Sequence, residues 1–192
     1  MSAREAGPRP SAARRRILEA VDRLFYREGI QAIGIHRILE EAQVTRVTLY
    51  RHFASKDDLV ATYLDERAAR GQQQLEELAA RHDDPVQALL AIGRLLAEEG
   101  LAAEYRGCAF INAAAEFCDP EHQVRLRVTR HRAWVRGQTA ELLAEAGHPE
   151  PARTAEVLLM ARTGTVIANA LDDTPDVDKT FLWFWEKVVT GS

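Results

Sequence analysis

The sequence predicts an all-α protein of about nine helices, and two observations support this fold class. The 192-residue chain is rich in Ala, Leu, Arg and Glu, with 46% hydrophobic and 28% charged residues, a composition that favours helices. Apolar residues also recur every three or four positions between clusters of Gly, Pro and Asp. No segment convincingly predicts a strand, so we expect helices throughout.

The first three predicted helices are closely spaced. Ser11 is the predicted N-cap of the first, which ends at Gly29. A second is predicted over 35–42, and Thr45 is the predicted N-cap of a third. Their apolar positions are Ile17, Leu18, Val21, Leu24, Phe25, Ile35, Ile38, Leu39, Val47, Leu49, Tyr50 and Phe53. Residues 1–10, with two prolines and two arginines, predict a flexible basic arm.

Six further helices are predicted from caps and breakers. Ser55 is the N-cap of the fourth helix, and Asp57 and Asp58 lie in its first turn, where carboxylates suit the positive end of the helix dipole. Clusters of Gly, Asp and Pro, such as Asp172-Asp173-Thr174-Pro175, separate the others. The predicted helices cover residues 56–78, 86–99, 108–117, 121–146, 151–171 and 176–189.

Charge is distributed unevenly along the chain. Residues 1–56 hold eleven Lys or Arg and six Asp or Glu, a balance of +5, whereas residues 57–192 have a balance of −9. A basic end on an acidic chain is the pattern expected when that end meets phosphate. Because the chain lacks a long apolar segment and a secretory signal, we expect it in the cytoplasm.

The third predicted helix carries candidate DNA contacts. Two short helices joined by a tight turn can place one helix in the major groove of DNA. Arg46, Thr48 and Arg51 lie on faces that Leu49 and Phe53 do not use, and Arg is the usual reader of guanine. Tyr50, His52 and Lys56 are candidate phosphate contacts. The alternative is an ordinary helical hairpin with surface arginines, in which Tyr50 only packs.

A specific run of residues favours the first interpretation. It reads Thr48-Leu49-Tyr50-Arg51-His52-Phe53-Ala54-Ser55-Lys56-Asp57-Asp58-Leu59. With this run, residues 14–60 resemble the DNA-binding region of the tetracycline-repressor (TetR) family of transcriptional regulators. The resemblance implies DNA contacts at Thr45, Arg46, Thr48, Tyr50, His52 and Lys56.

The sequence departs from the family pattern at three positions. Gln43 replaces the turn glycine of the family, so the turn must either be made with a different geometry or adopt a positive φ at a cost of about 1 kcal/mol. Val47 replaces a small residue of the third helix, where its side chain is suited to contact a thymine methyl group. Gly34 replaces the Ser or Thr that often caps the second helix, and glycine is a weaker cap.

The resemblance also implies a domain organisation. Residues 11–56 would form the helix-turn-helix DNA-binding domain, and residues 57–192 a helical bundle that binds an effector and dimerises. Phe110, Asn112 and Phe117, on an apolar helix, are candidate ligand-binding residues, with tight core packing as the alternative.

The predicted helix over 121–146 carries five arginines, which lie on either side of Trp134 in the sequence. Trp134 is a further candidate ligand-binding residue. The arginines form either a solvated basic face or a contact for an anionic ligand. Cys108 and Cys118, on the neighbouring helix, are expected to be reduced, and a redox pair is the alternative.

The last two helices offer more apolar surface than one bundle needs. The expected interface of a homodimer is formed by Val157, Ala161, Gly164, Ala168, Phe181 and Trp185. The resemblance implies that this helix pair forms a four-helix interface. A two-fold dimer would place two recognition helices about 34–36 Å apart.

These features lead to one functional prediction and two alternatives. We expect a repressor that a small-molecule effector releases from a palindromic DNA operator. The first alternative is a DNA-binding regulator that acts through a protein partner without an effector. The second, a helical enzyme, is disfavoured because the sequence shows no nucleophile with an adjacent base and no phosphate loop. The histidines lack the spacing of a metal site, so no metal and no cofactor are predicted.

Overall fold

The computed structural model describes residues 11–100, 105–171 and 176–191. Within these ranges it contains nine α-helices and no strand, which confirms the predicted fold class. The helices are α1 (Ala12–Glu28), α2 (Ile35–Ala42), α3 (Arg46–His52), α4 (Lys56–Ala79), α5 (Pro85–Gly100), α6 (Ala109–Glu116), α7 (Gln123–Glu145), α8 (Pro151–Leu171) and α9 (Val177–Thr190). The predicted basic arm over 1–10 and the predicted breaker over 172–175 lie outside the described residues.

None of the helices in those ranges is both long and apolar enough to cross a membrane.

Side-chain caps set the starts of the N-terminal helices. The Arg14 N–H donates to Ser11 Oγ at 3.2 Å, and the Thr48 N–H donates to Thr45 Oγ1 at the same distance. Each bond satisfies a backbone donor that has no partner inside the helix. The predicted N-caps at both positions are therefore confirmed.

The cap of α4 is reciprocal. The Asp58 N–H donates to Ser55 Oγ at 3.0 Å, and the Asp58 carboxylate accepts from the Ala54 N–H at 2.9 Å. This exchange resembles a capping box, and it fixes the direction in which the chain leaves α3.

The described chain forms two compact units, one ending at Leu64 and the next beginning at Asp65. The division falls inside α4, so a single continuous helix contributes to both units. The domain limits proposed from the sequence, 11–56 and 57–192, stay a prediction.

The first unit has a core built from all of its helices. Leu49 and Phe53 of the α3 segment are almost completely buried, as are Ile17 of α1 and Ile38 of α2. The rings of Phe25 and Tyr63 meet edge to face with centroids 5.6 Å apart. Burying an aliphatic or aromatic side chain contributes about 1.5–3 kcal/mol, so this core holds α3 in a fixed orientation.

Gln43 ends α2 in the left-handed region, with φ 52° and ψ 51°. The Gln43 N–H donates to the Glu40 carbonyl, and the Val44 N–H donates to the Leu39 carbonyl. Of the two alternatives left open by the sequence for this turn, the structure shows the positive φ. The tight turn between α2 and α3 is made without the glycine that avoids backbone strain there.

Replacing Gln43 with glycine is expected to raise the free energy of unfolding by about 1 kcal/mol, because glycine adopts a positive φ without a clash at Cβ. Urea denaturation followed by circular dichroism measures the change. Gln74→Gly, in the interior of α4, is the matched control and is expected to lower stability by about 0.5–1 kcal/mol. A Gln43→Gly protein less stable than the native chain would contradict this account of the turn.

The second unit packs around Trp185. This side chain is 3% exposed, and its Nε1–H donates to the Leu89 carbonyl at 2.8 Å. A Cβ atom on Gly93 would lie 2.6 Å from Trp185 Cδ1, so α5 approaches the indole only because residue 93 lacks a side chain. Phe181, 4% exposed, belongs to the same core.

These contacts correct the assignment of Phe181 and Trp185 to a dimer interface. Both side chains are buried against helices of their own subunit, so their surface is not available to a second subunit. The α9 residues identified from the sequence therefore stabilise the subunit core.

Candidate nucleic-acid interface

The short helix α3 has one buried and one exposed face. Leu49 is fully buried, whereas Arg46, Val47, Tyr50 and Arg51 are exposed. Val47 is 79% exposed and lies between polar neighbours. The exposed face thus presents two guanidinium groups, a phenol and an apolar side chain on one short helix.

The first turn of α3 holds two threonines together. The Thr45 and Thr48 hydroxyl oxygens lie 3.0 Å apart in a hydrogen bond, in addition to the N-cap bond. Thr45 is exposed and Thr48 is half-buried. Their rotamers are fixed before any ligand arrives, which lowers the entropic cost of a further contact.

The end of α3 is tied to the start of α1. His52 Nε2 lies 3.0 Å from Ser11 Oγ in a hydrogen bond, and the Arg14 guanidinium lies over the Phe53 ring, 5.6 Å from its centroid. The bond of His52 was not predicted, because 41 residues separate it from Ser11. Lys56, the first residue of α4, is half-buried.

In the second unit, α6 and α7 line a groove of about 340 Å³. Its lining residues are Phe110, Ile111, Ala114, Arg125, Val128, Thr129, Arg132, Ala133 and Arg136. Of the four residues predicted to bind a ligand, Phe110 lines this groove, but Asn112, Phe117 and Trp134 do not.

The structure gives Asn112 and Phe117 other contacts. The Asn112 amide donates to the Arg106 carbonyl at 2.9 Å, and its role as a polar anchor for a ligand stays a prediction. Phe117 is buried against His122, with ring centroids 4.8 Å apart. Trp134 is half-buried.

His131 packs against Phe110, one of the residues that line the groove. Its ring stacks on Phe110 with centroids 3.7 Å apart and an interplanar angle of 11°. Burial, together with the positive charges of Arg162 and Arg132, lowers the pKa of His131 to about 4. The imidazole is therefore neutral at physiological pH, and the stack is formed by two uncharged rings.

Asp65 connects α4 to α7. Its Oδ2 lies 3.4 Å from Arg127 Nε, and its Oδ1 pairs with Arg130. The sequence placed both arginines on one helix but did not reveal their partner, because Asp65 is 62 and 65 positions away from them. One carboxylate of α4, the helix that follows α3 in the chain, therefore pairs with α7, which lines the groove.

The surface of α8 and α9 carries a row of exposed apolar residues. Of those predicted for an interface, Val157 and Gly164 are exposed, and Ala161 and Ala168 are half-buried. Leu171, which the apolar spacing of this helix also includes, is exposed, and sequence reasoning missed three further exposed apolar side chains: Met160, Ile167 and Trp183. On α8, Val157, Met160, Gly164, Ile167 and Leu171 follow the spacing of one helical face.

The two cysteines are free thiols, with Cys108 half-buried and Cys118 exposed. In the part of the chain that the structure describes, no three His, Cys, Asp or Glu side chains converge as ligands for a metal ion.

Comparison of the sequence with known proteins gives a family match over α1 to α4. The family profile described as "Bacterial regulatory proteins, tetR family" matches residues 17–63. An uncharacterized HTH-type transcriptional regulator of Mycobacterium tuberculosis is 33% identical over 82 residues, 43% of this chain and 41% of that protein. The probable HTH-type transcriptional regulator ArpR of Pseudomonas putida is 37% identical over 71 residues, 34% of each chain. The match thus spans less than half the length of these relatives.

Solved structures match over nearly the whole chain. A TetR-family transcriptional regulator from Streptomyces coelicolor is 40% identical, with a TM-score of 0.89 over 93% of this chain and 95% of that one. The reduced form of Escherichia coli NemR, at 18% identity, shares the fold alone, with a TM-score of 0.81 over 92% of this chain and 97% of its own. The exposed α3 face, the helix order and the close relative agree: the chain belongs to the TetR family of DNA-binding transcriptional regulators.

Proposed function

We propose that the chain is a dimeric repressor, and that a small molecule bound in the second unit releases it from a palindromic operator. The observation that carries the proposal is the division of α3 between a buried apolar face and an exposed face with Arg46, Val47 and Arg51. A helix held by its core and exposing donors is suited to enter the major groove, which is about 12 Å wide.

Base recognition is assigned to the exposed α3 residues. Arg46 and Arg51 present forked donors that match the O6 and N7 acceptors of guanine, and Val47 matches the methyl group of thymine. Thr45 and Thr48, already fixed by their mutual bond, add hydroxyl contacts near the start of the helix.

Phosphate contacts are assigned to Tyr50, His52 and Lys56. They would fix the register of α3 on the duplex without selecting sequence. The bond between His52 and Ser11 supports this role, because it orients the imidazole at the end of α3.

Dimerisation is assigned to the exposed row on α8 and α9. Leu171 and Trp183 are 77% and 61% exposed, and a monomer rarely leaves a large contiguous apolar surface in water. Val157, Ala161, Gly164 and Ala168 stay in the proposed interface, joined by Met160, Ile167, Leu171 and Trp183. A two-fold axis through this surface would pair each helix with its copy and bring two α3 helices to one operator.

Replacing Ile167 with glutamate is expected to dissociate the dimer, because two buried carboxylates would face each other across the two-fold axis without a cation. Sedimentation equilibrium measures the change, and we expect the dissociation constant to rise at least a hundredfold. Leu126→Glu, at an exposed apolar position of α7, is the matched control and should leave the dimer intact. A dimeric Ile167→Glu protein would rule out this interface.

Release of DNA is assigned to movement of α7 relative to α4. A ligand in the groove contacts α7, and Asp65 pairs α7 with the helix that leads back to α3. An effector that prefers the released state by about 1–3 kcal/mol lowers DNA affinity about 5- to 150-fold, so a small shift is sufficient.

Selection of DNA from a random pool by the full-length chain tests the proposal. We expect an inverted repeat whose half-site centres are about 34–36 Å apart. An enriched sequence without two-fold symmetry would contradict the dimeric repressor, and binding at an equal level to all sequences would contradict base recognition by α3.

A further inference from the structure

The groove between α6 and α7 has one apolar and one cationic part. Phe110, Ile111, Ala114 and Val128 supply the apolar part, and none of the lining residues is acidic. Its volume of about 340 Å³ lies at the lower end of the range for small-molecule sites, about 300–1,000 Å³. The groove is therefore suited to a small ligand rather than to a peptide.

Three arginines of α7 share the face that lines the groove. Arg125, Arg132 and Arg136 are separated by seven and four positions, which places them along one side of the helix. Like charges four positions apart repel each other in an isolated helix. An anion lying among these guanidinium groups would relieve that repulsion.

Two of these arginines have no carboxylate partner among the described residues. Arg136 pairs with Glu156 at 3.0 Å, but Arg125 donates to the Ala114 carbonyl at 3.2 Å and Arg132 to the Thr163 hydroxyl at 3.3 Å. Arg125 Nε is buried and has no hydrogen-bond acceptor in that part of the chain. The positive charges of Arg125 and Arg132 are therefore not neutralised by a carboxylate of the described residues.

We propose that this groove binds an organic carboxylate with an apolar body, held by Arg125 and Arg132 and packed on Phe110 and Ile111. The carboxylate accepts charge-assisted hydrogen bonds from the two guanidinium groups, and the apolar body covers the α6 surface. The inference rests on the proposed function in one respect: the same compound is the effector that releases DNA.

Calorimetric titration of the full-length chain with three probes tests the ligand class. Octanoate carries both features, octan-1-ol lacks the charge and inorganic phosphate lacks the apolar body. We expect saturable binding of one octanoate per chain, and at least tenfold weaker binding of the other two. Equal affinity for octan-1-ol, equal affinity for phosphate, or no binding of octanoate would overturn the proposal.

Two variants locate the site. Arg132→Gln removes one charge and is expected to weaken octanoate binding at least tenfold, whereas Arg153→Gln, whose side chain is exposed outside the groove, should leave it unchanged. Ala114→Phe keeps every arginine but fills the groove, and is expected to abolish binding. Native affinity in both groove variants would place octanoate elsewhere and refute the inference.

Fluorescence anisotropy with the selected DNA separates this inference from the proposed function. If octanoate binds in the groove and lowers DNA affinity, the ligand site and effector-controlled release of DNA both stand. If it binds there while DNA affinity is unchanged, the ligand site stands and effector-controlled release fails. If DNA is bound but octanoate is not, the groove assignment fails and DNA binding by α3 stands.

Discussion

Replacing Arg46 with alanine is expected to weaken binding to the selected operator by about 1–3 kcal/mol for each half-site, the contribution of a bidentate contact to guanine. Since the proposed dimer would make the contact twice, the total loss is about 2–6 kcal/mol. Arg46 is exposed and begins a helix whose opposite face is anchored by Leu49, so its removal should not disturb the fold. Fluorescence anisotropy at fixed salt measures the loss.

Two controls separate base recognition from attraction to phosphate. Lys56→Ala is expected to weaken binding to all DNA sequences alike and to reduce the salt dependence by about one unit of slope per contact. Arg153→Ala removes the same charge from an exposed position of α8 and should change neither the affinity for DNA nor its salt dependence. If Arg46→Ala weakened operator and random DNA equally, Arg46 would be a phosphate contact and base recognition would lie elsewhere.

Replacing Trp185 with alanine is expected to lower the free energy of unfolding by about 3–5 kcal/mol, the usual cost of removing a large buried aromatic side chain. The variant loses the packing against Gly93 and leaves the Leu89 carbonyl without its donor. Urea denaturation at a fixed protomer concentration measures the loss. Since the side chain is buried in its own subunit, the dissociation constant of the dimer should change little.

Trp183→Ala is the matched control for Trp185→Ala. The two tryptophans lie two positions apart on α9, but Trp183 is 61% exposed. Its removal is expected to weaken the dimer, as measured by sedimentation equilibrium, while the subunit core stays intact. The reverse pattern, with Trp185 controlling dimerisation and Trp183 controlling unfolding, would refute the division between core and interface.

The helix boundaries were predictable because they depend on neighbouring residues. Ser11 and Thr45 cap helices through backbone donors three positions away. The exposed face of α3 was predictable for the same reason. The helix has only seven residues, so once Leu49 is placed in the core, the direction of the other side chains is largely determined. The conformation of Gln43 was left open by the sequence, because a residue other than glycine in this turn allows either another geometry or a positive φ.

The assignment of apolar residues to core or interface was not predictable from α9 alone. Trp183 and Trp185 both belong to an apolar helix, and periodicity does not distinguish a side chain packed within the subunit from one that faces a second subunit. The decisive feature is Gly93, which is 92 positions from Trp185 and leaves room for its indole. Contacts between distant positions, such as Asp65 with Arg127, also lie beyond pattern reasoning.

Photo-crosslinking tests the contact between α3 and base edges most directly. Thymines of the selected operator are replaced one at a time by 5-iodouracil, whose iodine occupies the position of the methyl group in the major groove. The native chain is irradiated on each DNA and digested with trypsin, which cuts after Arg46 and Arg51. We expect the peptide 47–51, with Val47 and Tyr50, to be attached to a base in each half-site. Crosslinks confined to peptides from residues 65–192 would show that another surface meets the bases and would contradict the account.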